Sequence, residues 1–310
     1  MSSGALDSGS LQASSMPIPD GDFELLGACP LCDGNQLEVL DRVANLSECQ
    51  GCGYVFDNPR PTIAALITFY SHPAKYDLWL RQERARDALW TRRLKQLLPV
   101  AKPGSLLDVG AGFGQFLALA RPCFTEVCGT EVSESAIQIA RNKYNLGLLA
   151  GEIQAINFGS KKFDNITMFH VLEHVPDPRA VVQRCASLLV KEGLLAIAVP
   201  NDLYTLRNKR LLRTLWTKML GSATGTGLQK IVLNVGADEI HLSHFTPGVL
   251  SRLLQQCGFT VVANTLDPYY VATGIAKWNH ASFYAFCRMI HLIFRRNLYD
   301  TILVFARKTS

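Results

Sequence analysis

Leu106-Leu107-Asp108-Val109-Gly110-Ala111-Gly112-Phe113-Gly114 decides how this chain folds. A short apolar run ends in an acidic residue and a glycine-rich turn, and Gln115 to Arg121 continues with helical character. That is a strand feeding a helix through a loop whose backbone comes very close to a ligand, which only glycine permits. Val127 to Val132 reads as the next strand and carries Glu131 near its end. An acidic side chain about 20 residues beyond such glycines accepts hydrogen bonds from both hydroxyls of a ribose. The segment therefore predicts a nucleotide-like cofactor.

The glycine spacing narrows the choice. A dinucleotide fingerprint wants G-x-G-x-x-G. Here the third glycine comes one position early, at Gly114, and Gln115 holds the dinucleotide position. A nicotinamide oxidoreductase is accordingly the most distant of the readings.

Outward from this centre, strands and helices alternate, which implies a mostly parallel sheet covered on both faces. Phe163-Asp164 opens an apolar strand leading into Phe169-His170-Val171-Leu172-Glu173-His174-Val175. Gly193 to Asn201 reads as a further strand, and so do Phe259–Leu266 and Thr301–Ala306. Residues 1–22 are rich in Ser, Gly and Pro and read as a disordered leader. A cysteine module follows over 23–61, then a helical bridge over 62–98 with apolar residues at three- and four-residue spacings. The remaining 99–310 forms the large α/β domain, with insertions at 202–243 and 269–297.

Cys29-Pro-Leu-Cys32 and Cys49-Gln-Gly-Cys52 form C-x2-C-x16-C-x2-C. Each pair makes a tight turn that aims two sulfurs at one point, and two such turns close a tetrahedral zinc site. Gly34 and Gly53 stand where each turn would want a residue tolerant of positive φ. Two disulfides are the competing reading, and the chain shows no basic-then-apolar signal pattern to suggest an oxidising compartment. Four thiolates leave no open coordination position, so the zinc is expected to fold the module rather than perform chemistry. Cys123, Cys128, Cys185, Cys257 and Cys287 are scattered and read as small core residues.

At 310 residues, of which 48% are apolar, the chain can bury a large core and is not a disordered protein. The net charge of +5 is far from the strongly basic footprint of a nucleic-acid binder. Charge is instead clustered: Arg207, Lys209, Arg210, Arg213 and Lys218 occur with no acid among them. Segment 206–220 reads as an amphipathic helix folding over the active site as a lid, with peripheral contact to an anionic membrane as the alternative. The longest apolar segment, Ala281 to Phe294, is broken by Arg288 and is too short to span a bilayer; its default is core packing. A soluble, cytoplasmic protein is expected.

From about Pro99 to the C-terminus these motifs, in this order, resemble the class I S-adenosylmethionine-dependent methyltransferases. Gly151-Glu152-Ile153-Gln154-Ala155-Ile156-Asn157-Phe158 is similar to that family's loop after the third strand. Glu152 stands where the family more often has Asp. The resemblance implies a Rossmann-like, doubly wound, mostly parallel seven-stranded sheet, here with a small N-terminal zinc ribbon. It also implies that Gly110 and Gly112 let the backbone approach the methionine part of S-adenosylmethionine, with Asp108 orienting that loop. Glu131 would hold the ribose, Glu152 and the Ile153 amide would read the adenine, and His170 would sit near the cofactor. Tyr54 to Thr62, then Phe69-Tyr70, resembles bacterial methyltransferases with an N-terminal zinc ribbon, often associated with sugar and cell-surface glycan pathways.

Methyl transfer from a sulfonium needs an oriented acceptor and, for a hydroxyl, a base. His174, four residues from His170, is one candidate base. The H-E-x-x-H order of a zinc protease is absent. His241 is the second candidate; it precedes a helix expected to be capped at Thr246 with Pro247 in its first position. One of His241 and His244 would simply pack. The expected activity is methylation of a small-molecule or glycan acceptor, at oxygen. The alternatives are an RNA methyltransferase with a zinc-ribbon recognition module, against which the modest charge counts, and a non-catalytic cofactor-binding scaffold.

Overall fold

The computed structural model describes residues 21–70, 80, 83–202, 230–233, 239–268, 275–294 and 297–309. The leader as far as residue 20 and the expected helix at 206–220 lie outside the described residues. The chain begins with short strands β1 (Phe23–Glu24), β2 (Leu37–Asp41), β3 (Leu46–Cys49), β4 (Val55–Asp57) and β5 (Arg60–Pro61). Two helices bridge to the large domain, α1 (Ile63–Tyr70) and α2 (Glu83–Leu97). Alternation then sets in with β6 (Ser105–Val109), α3 (Gln115–Ala120), β7 (Glu126–Glu131), α4 (Glu134–Tyr144) and β8 (Leu149–Ala150). It continues with β9 (Phe163–Phe169), α5 (Pro178–Leu188), β10 (Leu189–Pro200), β11 (Ser243–His244) and α6 (Pro247–Gln256). The chain closes with β12 (Phe259–Asp267), α7 (Ile275–Phe294) and β13 (Thr301–Lys308).

Seven strands form the main sheet in the order β12-β13-β10-β9-β6-β7-β8. The four neighbouring pairs from β10 to β8 are parallel, whereas β13 runs antiparallel to both β10 and β12. The two faces follow the strand period of two. In β10, Leu195, Ile197 and Val199 enter one core, and Leu194, Ala196 and Ala198 enter the other. In β13 the same split separates Ile302, Val304 and Ala306 from Leu303 and Phe305. Buried on both sides, these central strands read as continuous apolar runs rather than alternating ones.

The two cores have different partners. One packs α2, α3 and α4 through residues such as Leu89, Trp90, Phe116 and Ala140. The other packs α5 and α6 and also takes in Cys29, Leu31, Cys49, Tyr54 and Phe56 of the cysteine module. The module is continuous with the large domain in its hydrogen bonding too. Its sheet has the order β11-β4-β3-β2, so a strand that follows the seven-stranded sheet's β10 closes one edge.

Helix starts follow local chemistry. Ser133 caps α4 by accepting from the Ala136 amide, Asp177 caps α5 ahead of Pro178, and Thr246 caps α6 ahead of Pro247 as expected. Helix α7 differs from its expectation of core packing. Tyr284 and Cys287 are buried, but Phe283, Phe286, Met289, Leu292, Ile293 and Phe294 are exposed. Of the scattered cysteines, Cys185 and Cys287 are core residues, Cys128 and Cys257 are half-buried, and Cys123 is exposed because it ends a surface turn after α3. No helix among the described residues is long and apolar enough to cross a membrane.

Candidate active site

Beyond Val109 the chain turns through Gly110, Gly112 and Gly114, all left-handed, with φ of +68°, +55° and +81°. Glycine adopts this conformation without a Cβ penalty. At Gly110 the close approach is made by protein: a Cβ there would run into Val171, in the turn after β9. Gly110 and Gly112 border two adjoining clefts open to solvent, of about 1160 and 550 Å³.

Glu131, at the end of β7, lines the larger cleft. Its Oε2 accepts from the Gly112 amide at 2.8 Å, and its Oε1 accepts from the Val132 and Ser133 amides, both at 2.9 Å. The carboxylate is thereby fixed between the glycine turn and the start of α4. Glu152 is exposed and Ile153 buried, and both line the same cleft with the exposed Val132. Asp108 lies at the smaller cleft, where burial pushes its carboxyl up to about 7 against the Thr167 hydroxyl donating at 2.7 Å. A glycine cradle, a held carboxylate and two apolar flanks in one cleft suit the polar and planar parts of a nucleoside. The residues present fit S-adenosylmethionine.

His170 borders both clefts and is left-handed itself, at φ +57°. Its Nε2 lies 2.9 Å from an Arg93 guanidinium nitrogen, which can only donate. The proton of the neutral ring therefore sits on Nδ1 and faces Glu173 Oε1 at 3.1 Å. Burial, and then the Arg93 charge, hold His170 well below the usual imidazole range, so it stays neutral. Arg93 is fully buried, paired with the equally buried Asp267 at 2.7 Å and set over the Trp90 and Phe169 rings. Reading the sequence missed Arg93 and Asp267. The one signal was an arginine among the apolar spacings of α2.

His170 and His174, four residues apart, do not lie on a helical turn, because His170 is left-handed; a tight turn brings them together instead. The His174 amide bonds back to Val171 O, and both rings converge on Glu173 Oε1, at 3.1 Å from His170 and 3.9 Å from His174. Glu173 is fully buried, and burial pushes its carboxyl up to about 8. Its carbonyl accepts from the Leu242 and Ser243 amides, which carries the 240–244 segment to the site. The His174 and His241 rings meet edge to face, 5.0 Å between centroids. Both approach Glu239 Oε2, at 4.0 and 3.8 Å. Against the effect of burial, the His241 hydrogen bond and the His174 charge draw Glu239 down to about 2. Tyr70, at the end of α1, places its hydroxyl 3.0 Å from His174 Nδ1. The structure thus brings both candidate bases together, and adds Tyr70, Glu173 and Glu239, to none of which the sequence assigns a role at the site.

His244 is the packing histidine of its pair. It is buried, with Nε2 3.1 Å from Asp57 and Nδ1 3.5 Å from Asp202.

The four cysteines of the ribbon converge as their spacing predicts. Their sulfurs all lie within 4.8 Å of one another, with Cys29–Cys52 and Cys32–Cys49 at 3.6 Å. A tetrahedral zinc with bonds of about 2.3 Å needs edges of roughly 3.8 Å, so the donor set fits a structural ion. The turn at Gly53 is left-handed at φ +69° as expected. In the first turn the left-handed residue is Asp33, at φ +59°, not Gly34. Gly34 serves a different need, because a Cβ there would lie 3.3 Å from Cys32 Sγ and 3.4 Å from Cys49 Sγ.

Comparison with known proteins agrees with this geometry. The methyltransferase-domain family matches residues 81–264, and the chain belongs to that family. The ubiquinone biosynthesis O-methyltransferase of Coxiella burnetii (strain Dugway 5J108-111) is 33% identical over 101 residues, 31% of this chain and 43% of that protein. The O-methyltransferase cnsE of Penicillium expansum is 27% identical over 157 residues, covering 47% of this chain and 56% of its own. The chain thus spans about half the length of the curated relatives it matches. Among solved structures, magnesium protoporphyrin IX methyltransferase from Synechocystis PCC 6803, with bound SAH, is 13% identical with a TM-score of 0.51. It covers 80% of this chain and 100% of its own. A methyltransferase in complex with the Haloferax volcanii Trm112 activator is 14% identical with a TM-score of 0.52, covering 77% of this chain and 99% of its own. At these identities the structures establish the fold, which is that of Rossmann-like methyltransferases.

Proposed function

We propose that this chain transfers a methyl group from S-adenosylmethionine to a hydroxyl of a small-molecule or glycan acceptor. The observation that carries the proposal is the larger cleft, whose wall holds both Glu131 with the glycine turn and the His174–Glu239 pair. Cofactor and proton acceptor would then face one space. The O-methyltransferase relatives support oxygen as the methylated atom.

In this reading Gly110 and Gly112 carry the methionine part and Asp108 orients their turn. Glu131 accepts the ribose hydroxyls, while Glu152 and the Ile153 amide meet the adenine. S-adenosylmethionine supplies an electrophilic methyl group, so the protein's work is to align the acceptor and take up its proton. His170, held neutral by Arg93, shapes the cofactor side. His174 and His241 serve the acceptor side, with Tyr70 and Glu173 setting the orientation of the His174 ring. Residues 23–61 act as a zinc-folded ribbon, 62–98 as the bridge that contributes Tyr70, and 99–310 as the catalytic domain.

The test is incubation with methyl-labelled cofactor and fractionated cell extract, followed by turnover of the labelled fraction. A general base contributes about 10² to 10⁴ in rate. Replacing His174 or His241 by Ala should slow turnover by that order with cofactor affinity unchanged. If neither substitution slows turnover, oxygen methylation is the wrong reading.

A further inference from the structure

Glu173, His174, His241 and Glu239 are more than two bases and their neighbours. One ligand atom from each of Glu173, His174 and His241 lies within 4.8 Å of the other two. Glu239 Oε2 stands at the edge of this trio, 3.8 Å from His241 Nε2 and 4.0 Å from His174 Nε2, outside the set whose ligand atoms are all within 4.8 Å of one another. Four donors around a tetrahedral zinc with bonds of about 2.0–2.1 Å stand roughly 3.4 Å apart, so the trio closes by a small contraction and Glu239 joins it by a larger swing.

Hydrogen bonding sets the tautomer that a ligand needs. His174 Nδ1 is in contact with the Ile240 carbonyl, which can only accept, so Nδ1 carries the proton. Tyr70 adds its hydroxyl to the same junction, 3.2 Å from Ile240 O. A neutral His174 ring then presents its Nε2 lone pair toward Glu173 Oε1 and Glu239 Oε2. The ring lone pair and the oxygens of two carboxyl groups face one space, a donor set that suits a cation. A carbonyl behind the distal ring nitrogen is also the usual outer partner of a metal-bound histidine.

A second observation is independent of that ring. Glu173 Oε2 is buried and has no hydrogen-bond partner, although an unpaired buried carboxylate oxygen is costly. Exposure rises from Glu173 at 0% through His174 at 14% to Glu239 at 30% and His241 at 31%, so the group has a floor and an open rim.

We propose that Glu173, His174, Glu239 and His241 form a second metal site, distinct from the four-cysteine site, which takes a divalent cation at the acceptor side of the cleft. Two imidazoles and two carboxylates suit zinc, cobalt or manganese rather than calcium or magnesium. The proposal rests on the methyltransferase reading only for the ion's purpose, which is to hold an acceptor hydroxyl and lower its pKa so that its proton passes to solvent at the open rim; with the ion bound, His174 and His241 act as its ligands in place of bases.

Zinc titrated by calorimetry into protein already carrying one zinc in its ribbon should show one further binding event, and elemental analysis should then give two zinc per chain. His241→Ala and Glu173→Gln should each weaken that event at least tenfold. In His241→Ala, unchanged S-adenosylmethionine affinity would show that the fold is intact. One zinc per chain in the wild type, or a second event that survives both substitutions, overturns the site and leaves the cluster as a protonated imidazole between carboxylates. Failure to bind S-adenosylmethionine in the wild type would instead remove the methyltransferase reading, while the zinc count would still decide the site.

Discussion

The cysteine ribbon and the histidine–glutamate cluster both gather ligand-type side chains around a point, but they are assembled in opposite ways. The ribbon draws Cys29, Cys32, Cys49 and Cys52 from two turns of one short segment. The cluster draws Tyr70 from a helix end, Glu173 and His174 from the turn after β9, and Glu239 and His241 from the approach to β11. The first arrangement is written in spacing, whereas the second exists only after the sheet has formed. They are nevertheless joined. The Asp57 amide of β4 bonds to Leu242 O, and the Leu242 and Ser243 amides bond to Glu173 O. Tyr54 adds a hydroxyl contact to Ser243, and Arg252 of α6 donates to Cys52 O at 2.8 Å.

The strongest way to break the comparison is to remove the ribbon's metal. Structural zinc contributes about 10–16 kcal/mol of apparent binding free energy in small modules, where it is folding free energy. Cys49→Ser should therefore lose zinc and unfold the ribbon. Because Cys29, Leu31 and Phe56 share a core with Phe245 and Leu250, the damage should reach β11 and the His241 side of the cleft. Turnover should fall at least tenfold, while S-adenosylmethionine affinity, set on the β6–β7 side, stays within about threefold. A zinc-free protein with normal turnover would show that the two regions are independent.

The same contrast explains what could be read beforehand. The glycine turn at 110–114, Glu131 and the four cysteines declare themselves within about two dozen residues of chain, because a strand–turn–helix or a pair of tight turns is a local object. The continuous apolar runs of β10 and β13 make those strands legible, but not the strand order that joins β11 to β4. Arg93 and Asp267 lie far apart in sequence, and nothing near either predicts a fully buried ion pair. Gly34 was assigned a backbone role when its need is space beside two sulfurs. Glu173 was read only for its order beside His174, since its burial and its contact with the 240–244 segment are products of tertiary packing.

Two substitutions sharpen the line between cofactor side and acceptor side. Asp267→Ala leaves Arg93 charged and buried, a change that typically costs about 3–5 kcal/mol. Urea unfolding should show a loss of that size, and His170 should lose its fixed tautomer as Arg93 shifts. A loss under about 1 kcal/mol would mean that the aromatic rings and His170 suffice to hold the guanidinium. Glu131→Gln keeps the shape but removes the charge that Gly112, Val132 and Ser133 amides share. Hydrogen bonds to a charged group are worth about 1.5–3 kcal/mol, so calorimetry should show at least tenfold weaker S-adenosylmethionine. Equal affinity in the variant would take Glu131 out of the cofactor site.

The smallest expected effect lies at the seam between the two regions, where His244 meets Asp57 of β4 and Asp202 beyond β10, with His241 the nearest like charge. Burial opposes the imidazolium, but the Asp202 carboxylate beside Nδ1 and the Asp57 carboxylate bonded at Nε2 outweigh it and raise His244 from 6.5 to about 9. A folded state that binds the proton more tightly than the unfolded chain is stabilised below the unfolded pKa, and that stabilisation is lost as pH rises through the folded value. The window therefore runs from about pH 6.5 to about pH 9. Burial raises Asp57 above its ordinary value, against the His244 hydrogen bond, which lowers it. A pKa difference of one is worth about 1.4 kcal/mol, so roughly 1–3 kcal/mol of stability should disappear across the window. His244→Gln cannot hold the proton, so its stability should change less over the same range, and the difference between the two curves isolates His244 from thiols and lysines that also titrate there. Parallel curves would mean that the ring is neutral in the folded chain. The ribbon and the catalytic domain would then be joined without an ion pair at His244, by backbone pairing, apolar packing and polar links such as Arg252 to Cys52 O.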